Sequence, residues 1–499
     1  MGHLIIAPVV LPALLAGITL LVARDRPWLA RALAGAGNAA LLVIALVLFN
    51  AASGAGPELY RLGDWPAPFG IVLVLDRLSA LMLLLTAGLS MAVLLQAMAT
   101  GWDRRGAHFH ALWLFQLMGL NGAFLTGDAF NLFVFFEVLL IASYGLMVHG
   151  GGGPRIRAGL HYIAVNLVGS TLFLFALATI YSVMGTLNMA DLAVKLRALP
   201  ADDVALMRVA AVLLMLVFAV KGALVPLHFW LPGTYAKAPG VVAALFAVMT
   251  KVGAYAAIRT GTMIFPPDLP ATGPLLSQML LPAALLTLAV GSVGVLGARS
   301  LPRLAAYAAI ASMGTAFTAI AGFGPQAVGA ALYYMVHSTL AAAFLFLLAD
   351  VLASRGAVWL DGDIAAKGPR LPGPAAALFL AAAVACAGLP PLSGFIGKLF
   401  VLQATAPQAA WVWPVVLGGS FLMILGFARA GSNLFWKASG PAPARPLGLQ
   451  ELAMPGLFLV ALAALSVLAG PVSDWMAVTA DHLVKPDAYI AANRLGEGA

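Results

Sequence analysis

Apolar runs of about 20 residues, each long enough to cross a hydrocarbon layer roughly 30 Å thick, recur along nearly the whole of this 499-residue chain. In lipid every backbone N–H and C=O must find its partner within the protein, so uninterrupted runs of this kind fold as transmembrane helices. Short segments in which Arg, Pro, Gly and Asp collect separate them. About fourteen spans result, centred near residues 13, 41, 86, 117, 138, 171, 214, 249, 286, 312, 340, 386, 422 and 460. Hydrophobic residues make up 62% of the chain and charged residues 9%, against roughly 25% charged in soluble domains. The expectation is an all-α polytopic membrane protein with no sizeable soluble domain.

The formal net charge is +8, but Lys and Arg are dispersed between apolar runs, which argues for loop anchoring and against a nucleic-acid surface. Basic residues accumulate on the cytoplasmic side of membrane proteins, so alternate loops should differ. One set holds Arg24, Arg104, Arg155, Lys237, Arg303, Arg355 and Arg445 among others, while the poorer set has Arg61, Lys195, Arg197, Lys485 and Arg494 as its main members. A fourteen-span chain in a bacterial inner membrane, with both termini on the periplasmic side, satisfies the rule. The first run, Leu4 to Val22, lacks a basic flank and a cleavage site and is expected to remain as a span. The single cysteine, Cys386, excludes an internal disulfide and reads as a packing residue.

Two spans carry proline in mid-run: VFAVKGALVPLHFWLP (Val217–Pro232, with Pro226) and ACAGLPPLSGFIGKL (Ala385–Leu399, with Pro390 and Pro391). Proline removes a helix hydrogen bond and frees a carbonyl, which in lipid demands another partner, so such breaks usually line a hydrated path. Each break lies close to a buried lysine, Lys221 in one and Lys398 in the other. The breaks fall at spans seven and twelve. Their separation of five suggests two five-helix units, and because five is odd the second enters the membrane from the opposite side, an inverted repeat. The expected division is a three-helix segment at 1–105, a first repeat at 106–262, the first four spans of a second repeat at 272–405, its completing span at 406–440, and a last span with a tail at 441–499.

Most acidic residues lie in loops or at span ends, including Asp128, Asp350, Asp202 and Asp203. Glu137 does not: it stands inside FNLFVFFEVLLIAS, where an ionised carboxylate costs several kcal/mol unless paired or hydrated. Lys221, Lys251 and Lys398 are similarly embedded, and four such costs in one chain point to ion conduction rather than to packing. Lysine suits a proton relay because a dry environment weakens its hold on the proton and a nearby carboxylate restores it. His337, in YYMVHSTLAAAF, is flanked by Ser338 and Thr339, which can extend a water chain. It reads as a further relay group. His228, beside two prolines, reads equally as a relay or as a partner for freed carbonyls. No carboxylate cage, nucleophile triad or phosphate-binding loop is legible, since Gly150–Gly153 is not followed by Lys-Ser/Thr, and no metal or other cofactor is expected.

At these residues the chain resembles the antiporter-like subunits shared by Mrp-type cation/proton antiporters, respiratory complex I and membrane-bound hydrogenases, and most closely the D subunits of the Mrp type. NGAFLTGDAFNLFVFFEVLLIASY (Asn121–Tyr144) and TLNMADLA (Thr186–Ala193) look like D-subunit signatures. KGALVPLHFWLPGTYAKAPGVVAALFAVMTKVGAY (Lys221–Tyr255) and GLPPLSGFIGKL (Gly388–Leu399) are similar to the wider family. The resemblance covers essentially the whole chain. It implies fourteen spans, two inverted five-helix units and an in-plane axis of buried polar residues, with Glu137 as the fifth-span acid, Lys221 and Lys251 as the seventh- and eighth-span lysines, and Lys398 as the twelfth-span base. It also implies partner subunits of the A, B, C, E, F and G types, exchange of protons for Na+ or K+, and no enzyme activity of its own. Many members have a lysine four or five residues after the histidine matching His337, where this chain has Ala341 and Ala342. A proton-pumping subunit of a complex I-like oxidoreductase or hydrogenase would use the same residues, and a structural scaffold held together by its charges is the remaining alternative.

Overall fold

The computed structural model describes residues 2–494 except 55, 361–366 and 444. The residues left out fall within three expected segments, 1–105, 272–405 and 441–499. Nineteen α-helices run through the described residues: α1 Gly2–Val22, α2 Pro27–Gly54, α3 Arg77–Thr100, α4 Phe109–Leu125, α5 Ala129–Met147, α6 Gly153–Met184, α7 Met189–Lys195, α8 Val204–Lys221, α9 Trp230–Tyr235, α10 Gly240–Met263, α11 Leu275–Gly297, α12 Leu301–Ile320, α13 Pro325–Ala353, α14 Gly373–Ala387, α15 Ser393–Ala404, α16 Ala409–Gly431, α17 Leu449–Val467, α18 Ala469–Val484 and α19 Asp487–Arg494. The only strands among them form a hairpin, β1 Glu58–Arg61 against β2 Val72–Leu75, with Glu58 opposite Leu75.

Twelve helices are long and apolar enough to cross a membrane. The seventeen-residue α4 and the interrupted pair α14–α15 fall short of that length singly, and with them the segments number the expected fourteen. Helix ends follow local chemistry. The Asp76 carboxylate accepts from Ser79 N at 2.8 Å while the Ser79 hydroxyl accepts from Asp76 N, a reciprocal cap at the start of α3. Asp128 caps α5 through Asn131 N at 2.8 Å. Asn188 caps α7, and the backbone on either side joins the two signature segments, Ala129 N donating to Leu187 O and Met189 N to Gly127 O.

α10 is the centre of the molecule, buried at every residue from Val241 to Met263. Outer helices expose apolar side chains such as Leu14, Val43, Phe175, Leu286 and Phe421, surfaces that lipid rather than water would solvate. Close approach at the centre depends on Gly253: a Cβ there would lie 2.8 Å from Phe218 O, 2.9 Å from Gly222 N and 3.1 Å from Lys221 Cβ. Hydrogen therefore lets α10 pack directly on the last turn of α8.

Both expected breaks are present. α8 stops at Lys221 and the chain resumes helically only at Leu227, after Pro226. Backbone groups freed there find side-chain partners, Trp230 Nε1 donating to Val220 O at 3.1 Å and Val225 N donating to Thr287 Oγ1 of α11 at 2.8 Å. His228 lies beside the Pro226 carbonyl, and its Nδ1 has no hydrogen-bond partner among the described residues. The second break covers 388–392, between α14 and α15, and contains Pro390 and Pro391.

A polar line through the helix core

Glu137 projects from the middle of α5 and accepts a hydrogen bond from the Ser170 hydroxyl of α6. One turn back on α6, Asn166 is a neighbour of Ser170 on the same face, and its Oδ1 accepts from Lys221 Nζ at 3.0 Å. Lys221 Nζ also lies 5.7 Å from the centre of the Phe136 ring. The direct ion pair that two buried charges of opposite sign suggest is therefore not formed: among the described residues no Glu137–Lys221 contact within ion-pair distance occurs, and two α6 side chains span the gap. Nearness still couples them, because Lys221 feels the Glu137 charge. The physical reason for the separation is the intervening helix, whose amide and hydroxyl hydrogen-bond each ion without the backbone of α5 meeting that of α8.

Lys251, on central α10, is 1% exposed and makes no hydrogen bond or ion pair among the described residues. His337 of α13 feels the charges of both Lys251 and Lys398. Its Nδ1 is 3.0 Å from the hydroxyl of Ser393, the first residue of α15. Beside it a cavity of about 10 Å³ is bounded by Ser312, Ser338, Ala341, Ala342 and Cys386, close to the volume one water needs. Ala341 and Ala342 thus border a small void lined mostly by apolar side chains.

Lys398 lies beyond the second break but folds back across it. Its Nζ donates to Ala387 O, the last carbonyl of α14, and to Ser420 Oγ of α16, both at 2.7 Å. Gly388 makes room: its φ of 78° is in the left-handed region, and a Cβ there would lie 2.6 Å from Lys398 Cδ. Lys221 ends one half-helix and Lys398 binds the end of another, so both lysines sit where a half-helix presents free carbonyls, the end that favours cations.

Sequence reasoning missed Asn166, Ser170, Ser393 and Ser420. The spacing of Asn166 and Ser170, four residues apart in an otherwise apolar run, is the signal that could have found the first two. It also missed Arg259 of α10, 3% exposed, which holds Asp76 through bonds of 2.6 and 2.9 Å.

A membrane-spanning helical fold with two broken helices and a file of one half-buried acid and buried amide, lysine and histidine side chains defines an ion-conducting type of membrane protein. The chain belongs to the NADH:quinone oxidoreductase/Mrp antiporter transmembrane family, which it matches over residues 126–426. It is 42% identical to a protein of Rhizobium meliloti described as the D subunit of a probable K(+)/H(+) antiporter, across 97% of this chain and 96% of that one. It is 35% identical to the D subunit of the Na(+)/H(+) antiporter of Bacillus subtilis, across 99% of each. Among solved structures, a chain of the Mrp complex from Dietzia sp. superposes with a TM-score of 0.90 at 27% identity, covering 99% of this chain and 100% of that one.

Proposed function

We propose that this chain is the D-type subunit of an Mrp-type cation/proton antiporter, and that it carries protons through Glu137, Lys221, Lys251, His337, Lys398 and intervening water. The observation that carries this reading is that Glu137 and Lys221 hydrogen-bond to Ser170 and Asn166, which stand one turn apart on α6. An acid and an amine bound to neutral groups one turn apart on the same helix are held near one another without being locked together. Protonation of either one changes how strongly the other holds its proton. Lys251, with no hydrogen-bond partner among the described residues, is the natural next acceptor, and His337 with Ser393 leads on to Lys398.

In this reading the two five-helix units are spans four to eight and nine to thirteen, related by inversion, after a three-helix segment at 1–105 and before a last span and tail at 441–499. The membrane is the bacterial inner membrane, and both termini are periplasmic. The exchanged cation is Na+ or K+, and the partners are the remaining antiporter subunits. Protons moving through the corresponding part of a redox-driven pump would use the same groups, since the family includes both kinds of machine. Vesicles containing the whole assembled complex test the proposal. Addition of Na+ or K+ should dissipate an imposed pH gradient, and vesicles that respond to neither cation would contradict it.

A further inference from the structure

Of the three lysines in the polar line, Lys251 alone has no hydrogen-bond partner among the described residues. Its place is therefore set by the helix that carries it. α10 is fixed near each end by a carboxylate from another element. At its start Gly240 N donates to Asp350 Oδ1 of α13 at 3.2 Å, and a Cβ on Gly240 would collide with the Asp350 side chain, so the contact there leaves no slack. Near its other end Arg259 donates to both oxygens of Asp76, the N-cap of α3, at 2.6 and 2.9 Å.

The second anchorage is the more directional. A two-pronged guanidinium–carboxylate pair fixes orientation as well as distance, and this one is closed off from water, since Arg259 is buried. Arg259 Nη2 also donates to the Tyr255 hydroxyl of its own helix at 3.4 Å, and the Tyr489 ring of α19 covers the guanidinium at 5.1 Å. α18 braces the same corner. Arg77, next to Asp76, donates to Thr479 Oγ1 at 3.0 Å and to Trp475 O at 3.2 Å. A cavity of about 80 Å³ beside the pair has Arg77, His482 and Lys485 as its other charged or titratable lining groups besides Tyr489. Arg259 stands eight residues after Lys251 (251 to 259), about 12 Å further along the same helix.

We propose that Arg259 is a positioning residue for proton transfer at Lys251, acting through its ion pair with Asp76 to hold α10 in axial and rotational register. The inference rests on Lys251 carrying protons as proposed above. Without the pair α10 is free to slide or turn by a fraction of a residue, and a lysine with no ligand of its own moves with it relative to His337, which feels its charge. Lys221 and Lys398 have oxygen ligands of their own and do not depend on α10 in this way. An arginine stays charged throughout the physiological range, so the anchor persists while Lys251 loads and unloads.

The test is collapse of a pH gradient by Na+ or K+, measured over a range of pH in vesicles holding equal amounts of assembled complex. Asp76→Asn/Arg259→Met removes both charges, so no buried ion is left unpaired, and asparagine still caps α3. This variant should assemble, transport roughly tenfold more slowly or worse, and reach half its maximal rate at a pH displaced by about half a unit or more, because the surroundings of Lys251 change. Arg259→Lys, which keeps the charge without the fork, should show a smaller loss and a smaller displacement in the same direction. It decides alone if the double variant does not assemble. Lys251→Met separates the two readings: parental transport in that variant overturns Lys251 as a proton carrier and this inference with it. If Lys251→Met is inactive while the Asp76 and Arg259 variants match the parent, or are slower with an unmoved pH profile, the positioning role of Arg259 alone is overturned.

Discussion

A lysine deep in a membrane protein is costly whichever way it is housed, and the three here are housed differently. Lys221 rests on an amide oxygen, Lys398 on a helix-end carbonyl and a hydroxyl, and Lys251 on no hydrogen-bonding group among the described residues. If Asn166 links Glu137 to Lys221, Asn166→Ala should slow transport by roughly ten- to a hundredfold, the equivalent of one hydrogen bond to a charged group at about 1.5–3 kcal/mol. Assembly should persist, and transport at the parental rate in the assembled variant would show that the amide only fills space. Lys398→Arg keeps a charge that is not released at physiological pH, so the complex should assemble and fail to transport, as measured by cation-driven collapse of a pH gradient. Outside the spans, burial pushes the Asp103 carboxyl up, but hydrogen bonds from His110 and Arg31 and their charges outweigh it and hold the group at about 2, below its ordinary 3.8. Because the folded-state value is the lower one, ionised Asp103 stabilises the fold above about pH 4, and the contribution is lost as pH falls through about 2. Thermal unfolding at a series of acidic pH values should show Asp103→Asn less stable than the parent at the start and losing less on acidification; parallel curves would contradict this. Glu137 and the lysines were legible because a charge inside an apolar run has few innocent explanations. Asn166 and Ser170 were not, since small neutral polar residues are common in membrane helices and their partners belong to other helices.

At the scale of elements, the broken helices were readable from Pro226, Pro390 and Pro391, because proline cannot supply the N–H that a continuous helix needs. What could not be read was how each break is repaired. Thr287, which takes Val225 N, lies 62 residues away, and only the packing of α11 against α8 brings it there. The tail was equally opaque: α18 and α19 follow the last span, with Trp475 stacked under Arg77 at 4.3 Å and Tyr489 buried. Neither helix carries a long apolar run, so composition marked the segment as a tail. The tightest element-level dependence lies at Gly253. Gly253→Ala should cost about 1–3 kcal/mol by overpacking and, because the displaced neighbour is the turn bearing Lys221, should lower transport as well. Denaturation midpoint and gradient collapse measured on one preparation separate these effects. An alanine variant matching the parent in both would mean that α10 and α8 do not pack as closely as a bare glycine permits.

For the whole molecule, fourteen apolar segments around a central helix follow from run length and composition, and their number was legible before any contact was known. The order of the polar line was not. Residues 137, 166, 170 and 221 come from three helices, while His337 and Lys398 come from α13 and α15, an arrangement set by tertiary packing. In the proposed mechanism Glu137 governs proton movement along this line through Ser170, Asn166 and Lys221. The most direct test is the rate at which Na+ or K+ collapses a pH gradient in vesicles holding the assembled complex, compared among the parent, Glu137→Asp and Glu137→Ala. Glu137→Asp, whose carboxylate survives on a shorter arm, should keep partial activity, and Glu137→Ala in a correctly assembled complex should have none. Parental rates in Glu137→Ala would contradict it and require another group to load and unload Lys221.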